Sequence, residues 1–143
     1  MFDKVLVPVD LNEKGFSDKA VTMACGLLKD GGHLHLLKVM PGYQMPIVGS
    51  FFPEDAFDDY LTEAKKTIDE FAGRVMEGQP FSYTTHVVEG KAAREIIKQV
   101  TETKSEAIVM ASHKRSKLDN MMIGSIATKV LGKSSVPVMI VKP

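Results

Sequence analysis

The sequence has little of several features that would mark particular classes of protein. It contains one cysteine, Cys25, so an intrachain disulfide is excluded. Eighteen basic residues balance eighteen acidic ones, and this zero net charge gives no sign of a nucleic-acid or membrane surface. No apolar run approaches the roughly 20 residues that cross a bilayer, and the N-terminus is too short and too acidic for a signal peptide. We therefore expect a cytoplasmic protein with no nucleic-acid partner and no membrane insertion.

The residues that are present are typical of one globular domain. The chain has 143 residues, of which 44% are apolar and 25% charged, and we expect a single domain over residues 1–143. Short apolar runs alternate with segments of helical periodicity. This alternation predicts an α/β fold in which a parallel sheet is covered by helices on both faces. The strands are predicted at residues 5–9, 34–40, 83–88, 107–111 and 136–141.

Local signals predict where several of these elements begin and end. Ser17 is placed to cap the first helix, and Gly31-Gly32 is expected to end it. Residues 41–53 contain three prolines and two glycines and are predicted to form the longest loop, of the kind that is usually functional or mobile. The strongest helical pattern follows at residues 57–75. Pro137 indicates that the last strand lies at a sheet edge.

The predicted sheet indicates where a ligand would bind. In an open parallel sheet, ligands lie beyond the carboxyl ends of the strands, where the strand order reverses. Gly124 and Ser125 open a helix there, and a helix N-terminus has unpaired N–H groups that suit a phosphate. Lys114, Arg115 and Lys117 precede it and could neutralise a polyphosphate. A solvated basic loop beside an ordinary capped helix explains the same residues equally well.

The sequence resembles the universal stress protein family over essentially its whole length. The segments that carry the resemblance are residues 4–10, the pair Glu89-Gly90 and residues 109–143. The resemblance implies an open, Rossmann-like sheet of five parallel strands in the order 3-2-1-4-5, similar to the adenine nucleotide alpha hydrolases. It also implies a homodimer formed through residues 136–141, because an exposed apolar edge strand favours a partner.

In the nucleotide-binding members, Gly-x-x-Gly is followed after nine residues by Gly-Ser or Gly-Thr, and this chain keeps only the last pair. Ala111 and Lys114 stand where the first two glycines would be. Lys114 either obstructs a backbone phosphate cradle or replaces it with a side-chain cation. The nucleotide site that the resemblance implies consists of Pro8, Val9, Asp10, Val39, Met110, Ala111, His113, Lys114, Arg115, Gly124, Ser125 and Ile126.

Within that implied site, Asp10 would lie near adenine or ribose, and the Val39 backbone would bond the adenine edge. Each also has a structural reading, Val39 as core and Asp10 as a loop cap. The function that follows is regulatory binding of ATP, or of AMP in its place, in a stress response with an unknown protein partner. Mg²⁺ would accompany the triphosphate, and hydrolysis would be slow or absent because no positioned general base is evident.

The alternative is a nucleotide-free dimeric adaptor that acts through protein–protein contacts. In this case the substitutions at Ala111 and Lys114 would reflect the loss of the nucleotide pocket. A nucleotidyl transferase or pyrophosphatase would need a glycine-rich loop after the first strand, and residues 10–13 do not form one. The tripeptide at residues 132–134 lacks the earlier glycine of a P-loop. We predict no catalytic residues and no metal ligands, since no cysteine or carboxylate cluster completes a set with the strand histidines.

Overall fold

The computed structural model describes residues 1–42, 54–112 and 123–142. Strands and helices alternate along these ranges: β1 Phe2–Pro8, α1 Asp18–Leu27, β2 Leu28–Met40, α2 Glu54–Val75, β3 Ser82–Glu89, α3 Ala92–Thr103, β4 Ala107–Ala111, α4 Ser125–Lys133 and β5 Val138–Val141. The predicted long loop lies outside the described residues, apart from residues 41 and 42. In the described ranges, no helix combines the length and the hydropathy needed to cross a bilayer.

The five strands form one sheet in the order β3-β2-β1-β4-β5, and every neighbouring pair is parallel. This confirms the predicted fold class and strand order. Strands β2 and β3 lie in succession on one side of β1, and β4 and β5 lie on its other side. The order therefore reverses between β1 and β4, and their carboxyl ends frame the expected ligand position.

Apolar residues on both faces of the sheet explain why helices cover both of them. Side chains of β1 alternate between the faces: Val5 and Val7 pack towards α1 and α2, and Leu6 packs towards α3 and α4. All three are fully buried, and each such burial stabilises the fold by about 1.5–3 kcal/mol. Both core clusters meet the sheet along β1 and β4, so these two strands form a rigid base for the site.

Two of the local predictions are wrong. Helix α1 ends at Leu27, four residues before the Gly31-Gly32 pair, and the pair lies instead in the irregular start of β2. There the register between β1 and β2 shifts, because β2 carries extra residues opposite Asp3. Gly31 has a φ of +77°, a left-handed conformation that glycine adopts at little cost. The predicted edge position of the last strand is confirmed, although β5 begins at Val138, after Pro137.

The predicted capping role of Ser17 is also wrong. Ser17 occupies the N-cap position of α1, but its side chain makes no hydrogen bond to the helix. Its Oγ accepts the Asp10 N–H at 2.9 Å and donates to the Asp10 carbonyl oxygen at 3.3 Å. Ser17 is 2% exposed, so this buried hydroxyl satisfies the backbone of the β1–α1 loop instead of the helix terminus.

Candidate functional site

A cleft of about 410 Å³ opens at the carboxyl ends of β1, β2 and β4. Its volume falls within the range of roughly 300–1,000 Å³ typical of small-molecule sites. Most of the lining side chains are apolar, and the polar groups come mainly from loops and helix starts. The lining consists of Pro8, Val9, Asp10, Leu11, Asn12, Phe16, Leu37, Lys38, Val39, Pro41, Gly90, Ala92, Ile96, Met110, Ala111, Ser112, Gly124, Ser125, Ile126 and Ala127.

The loop after β1 is held by hydrogen bonds that fix the position of Asp10. The Val9 N–H donates to the Leu37 carbonyl oxygen at 2.8 Å and continues the sheet beyond the end of β1. The Asp10 carboxylate accepts the Asn12 N–H at 3.0 Å, which forms a turn of the Asx type. With Ser17 bonded to the Asp10 backbone, the carboxylate is positioned by the loop at the cleft wall. The loop-cap reading of Asp10 and its place in the cleft are therefore compatible.

The wall formed by β2 and β3 depends on a close backbone approach at Gly90. The Gly90 N–H donates to the Met40 carbonyl oxygen at 2.9 Å, which extends the pairing past the end of β3. The φ of Gly90 is +147°, and a Cβ atom at this position would lie 2.8 Å from Glu95 Cγ. Both observations require glycine here. Val39, on the neighbouring strand, packs against the core under α3 and α4 and also lines the cleft.

Ser112 ties the end of β4 to the start of α4. Its Oγ accepts the Gly124 N–H at 2.8 Å, and its own N–H donates to the Val141 carbonyl oxygen at 3.2 Å. Ser112 is 7% exposed, so a buried side chain makes this connection. Gly124 occupies the N-cap position of α4 without a side-chain bond. Ser125 is the first helical residue, which leaves the N-cap position to Gly124.

Nine of the predicted site residues surround this one cleft. They are Pro8, Val9, Asp10, Val39, Met110, Ala111, Gly124, Ser125 and Ile126. The other three, His113, Lys114 and Arg115, lie outside the described residues. That these positions bind a nucleotide stays a prediction.

Sequence reasoning missed several residues of the cleft, among them Lys38, Ala92, Ile96 and Ser112. Ala92 and Ile96 belong to the apolar face of α3, which predicts burial but not which end of the sheet they reach. Ser112 directly follows an apolar strand, at the edge where ligands are expected, and that position was the available signal.

The geometry defines a Rossmann-like α/β protein with a small-molecule cleft at the point where its strand order reverses. The universal stress protein family model matches residues 1–142, and the chain belongs to that family, which confirms the predicted resemblance. Universal stress protein YxiE of Bacillus subtilis is 32% identical over 152 residues, covering 99% of this chain and all of its own. Universal stress protein G of Salmonella typhimurium is 27% identical over 144 residues, with 99% and 100% covered.

Solved structures show the same fold. Hypothetical protein MJ0577, a protein of Methanocaldococcus jannaschii, superposes with a TM-score of 0.80 at 27% identity, covering 100% of this chain and 97% of its own. A universal stress protein in complex with cAMP gives a TM-score of 0.67 at 18% identity, with 99% and 97% covered. One from Archaeoglobus fulgidus in complex with dAMP gives 0.67 at 19%, with 96% and 95% covered. At these lower identities the likeness concerns the fold alone.

Proposed function

We propose that this protein binds an adenine nucleotide, ATP or AMP, in the cleft and acts in the regulation of a stress response. The observation that carries the proposal is the position of the cleft. It lies at the reversal of strand order, it is lined mainly by apolar side chains, and a helix begins at its edge. Two proteins of the same fold are complexes with cAMP and dAMP, and this supports an adenine nucleotide as the ligand. We also propose a cytoplasmic location, where such nucleotides are abundant.

The base would lie between the end of β2 and the loop after β1. Here the apolar side chain of Val39 lines the cleft and would pack against an aromatic ring. The Val39 backbone would bond the adenine edge, as the family resemblance implies. The Asp10 carboxylate is restrained by its bond from the Asn12 N–H and would accept a hydrogen bond from adenine or ribose.

The phosphates would lie at the start of α4. Because Ser112 accepts the Gly124 N–H, the next N–H groups, those of Ser125 and Ile126, are the ones we assign to phosphate oxygens. Lys114 and Arg115 would add side-chain cations in place of the missing glycines. Mg²⁺ would accompany a triphosphate, and we assign no residue of this chain as its ligand. We expect hydrolysis to be slow or absent.

The proposal includes a homodimer formed through β5. This strand lies at the sheet edge, and its residues Val138, Met139 and Ile140 are only half-buried. An edge strand of this kind has backbone groups that a second copy could pair with. Sedimentation of the purified protein should give twice the mass of the chain, and a monomer at micromolar concentration would refute this part.

A nucleotide-free adaptor is the second candidate, favoured by the departure from the glycine pattern at Ala111 and Lys114. Isothermal titration of ATP with Mg²⁺ into nucleotide-stripped protein separates the two. Nucleotide binding predicts one saturable site per chain. No heat at millimolar ATP would instead support the adaptor, whose partners could then be sought with the dimeric protein.

A pair of matched variants locates the binding. Ile126→Asp introduces a carboxylate at the cleft, and repulsion from phosphate at an effective dielectric near 20 should weaken ATP binding about tenfold or more. Leu131→Asp makes the same change on the same helix, at a side chain that is 41% exposed against 42% for Ile126 and does not line the cleft. We expect this control to bind ATP normally. Equal losses in both variants would contradict the assignment.

A further inference from the structure

Three histidines lie together on the two outermost strands of one side of the sheet. His33 and His35 are two residues apart on β2 and therefore lie on the same face of the sheet. His86 lies on the neighbouring strand β3. Their rings are in contact, with centroids 4.7 Å apart for His33 and His35 and 5.1 Å apart for His35 and His86. We refer to His33, His35 and His86 as the histidine cluster. It is separate from the proposed nucleotide cleft, whose lining includes none of the three.

The hydrogen bonds of the cluster differ in how they respond to a proton. The ring nitrogens of His33 contact the hydroxyls of Ser82 at 2.6 Å and Thr84 at 2.7 Å. Hydroxyls donate or accept, so this ring keeps both bonds when it is protonated. His35 Nδ1 and His86 Nε2 face each other at 2.9 Å, and this bond needs one N–H and one lone pair. Protonation of both rings removes the lone pair and leaves two cations in contact.

The charged groups around the cluster disfavour proton uptake. Lys4 of β1 acts on the two β2 histidines, and Lys65 of α2 acts on the β3 histidine. Glu102 of α3 is the carboxylate that acts on the β3 histidine in the opposite sense, and it is 3.9 Å from Lys98. Among the groups of the described residues that act on the cluster, cations therefore outnumber carboxylates by two to one.

Burial adds to this effect. It is the main cause that lowers the pKa of His35 to about 4, with further contributions from the other two histidines and Lys4. Burial also lowers the pKa of His33 and of His86. All three rings are therefore neutral at pH 7 in the folded protein, whereas histidine in an open strand titrates near 6.5.

The strand that carries one side of the cluster lies at an edge of the sheet. β3 lies at the sheet edge and pairs with a single neighbour, along His33–Met40. We propose that the histidine cluster is an acid-sensitive latch, which favours the closed β3 strand at neutral pH and lets it open more often in mild acid. In the described ranges no group of three histidine, cysteine or acidic side chains could hold a metal ion.

The direction of the pH effect follows from the lowered pKa values. The open strand takes up protons first as the pH falls, so the closed strand is fully favoured above pH 6.5. It loses that advantage progressively as the pH falls towards 4. His35 stays on β2 when β3 opens, so a complete return of its pKa from about 4 to the ordinary value sets the upper limit, which is about a 20-fold rise in the opening equilibrium between pH 7 and pH 5. Because these rings are half exposed, we expect a rise of about 5- to 20-fold.

Hydrogen exchange followed by mass spectrometry tests the proposal on the whole protein, with EDTA present. Peptides covering β3 are compared with those covering β4 at pH 7 and pH 5, each corrected for the intrinsic exchange rate. We expect the opening of β3 to rise by the stated factor while β4 changes by less than about twofold. An unchanged β3 would overturn the proposal, and an equal rise in β3 and β4 would do the same because it reports global unfolding.

Substitutions identify the groups responsible. His35→Gln removes the ring whose pKa is lowered most and should reduce the pH effect to less than about threefold. His86→Gln makes the same test at the edge strand, where a change in packing is tolerated more easily. Tyr83→Phe is the control, since this exposed side chain lies on β3 and is not part of the histidine cluster. Retention of the full pH effect in both glutamine variants would refute the latch.

Discussion

Replacement of Gly90 by alanine tests the account of the cleft wall. The φ of +147° is disfavoured for any residue with a Cβ atom, which costs about 1–3 kcal/mol. The new Cβ would also lie 2.8 Å from Glu95 Cγ and Oε1, so the Glu95 side chain has to move. The Glu95 side chain is flexible and only half-buried, so we expect it to adjust, and we expect Gly90→Ala to lower the free energy of unfolding by about 2 kcal/mol.

Gly73→Ala is the matched control for this prediction. Gly73 lies in α2, it is exposed, and a Cβ there would meet nothing within 4 Å. Alanine in a helix is more stable than glycine by about 0.5–1 kcal/mol, so the same chemical change should here stabilise the protein.

Urea denaturation followed by circular dichroism measures both variants. The midpoint should fall for Gly90→Ala and rise for Gly73→Ala, with an unchanged dependence on urea concentration in each case. A Gly90→Ala protein within about 0.5 kcal/mol of the wild type would refute the reasoning, since that is the ordinary range for a surface substitution.

Three further substitutions test other parts of the structure. Ser112→Ala leaves the buried Gly124 N–H without its partner and should cost about 1–3 kcal/mol in urea denaturation, and recovery in Ser112→Thr would show that the hydroxyl is responsible. Ile68→Ala empties part of the core and should cost about 2–5 kcal/mol in the same assay. Asp18 forms two bonds to Arg74, at 2.9 and 3.0 Å, and the hydrogen bond from Arg74 lowers the pKa of Asp18. Asp18→Asn should therefore reduce stability at pH 7, and the difference from wild type should vanish as acid protonates the carboxyl; a difference that persists in acid would contradict the ion pair.

Most of the helices and strands could be predicted from the sequence, because apolar runs and helical periodicity indicate which residues are buried. β4 matches its predicted bounds, Ala107–Ala111, since every residue of a central strand has to be apolar. The strand order came from the family resemblance, not from the patterns. The local errors concern residues with more than one common role. Gly31-Gly32 is equally typical of a helix end and of a strand irregularity, and Ser17 satisfies a loop backbone as readily as a helix terminus.

Part of the candidate site could also be predicted from the sequence. Residues that directly follow predicted strands, such as Asp10 and Ala111, lie at the expected edge because the strand direction places them there. Gly90 enters the cleft wall through its hydrogen bond to Met40, which is distant in the chain, and no local pattern encodes that contact. The pairing of His35 with His86 likewise depends on the register between β2 and β3, which hydrophobic periodicity leaves undetermined.

An NMR titration tests the central claim most directly, because it reports both binding and its location. ATP with Mg²⁺ would be added to the ¹⁵N-labelled protein and the amide shifts followed to saturation. The account predicts saturable shifts at the cleft, in Val39, Gly90 and residues 124–127, and none at Ser82, at the far end of the sheet. No shifts at millimolar ATP, or shifts confined to residues away from the cleft, would contradict it.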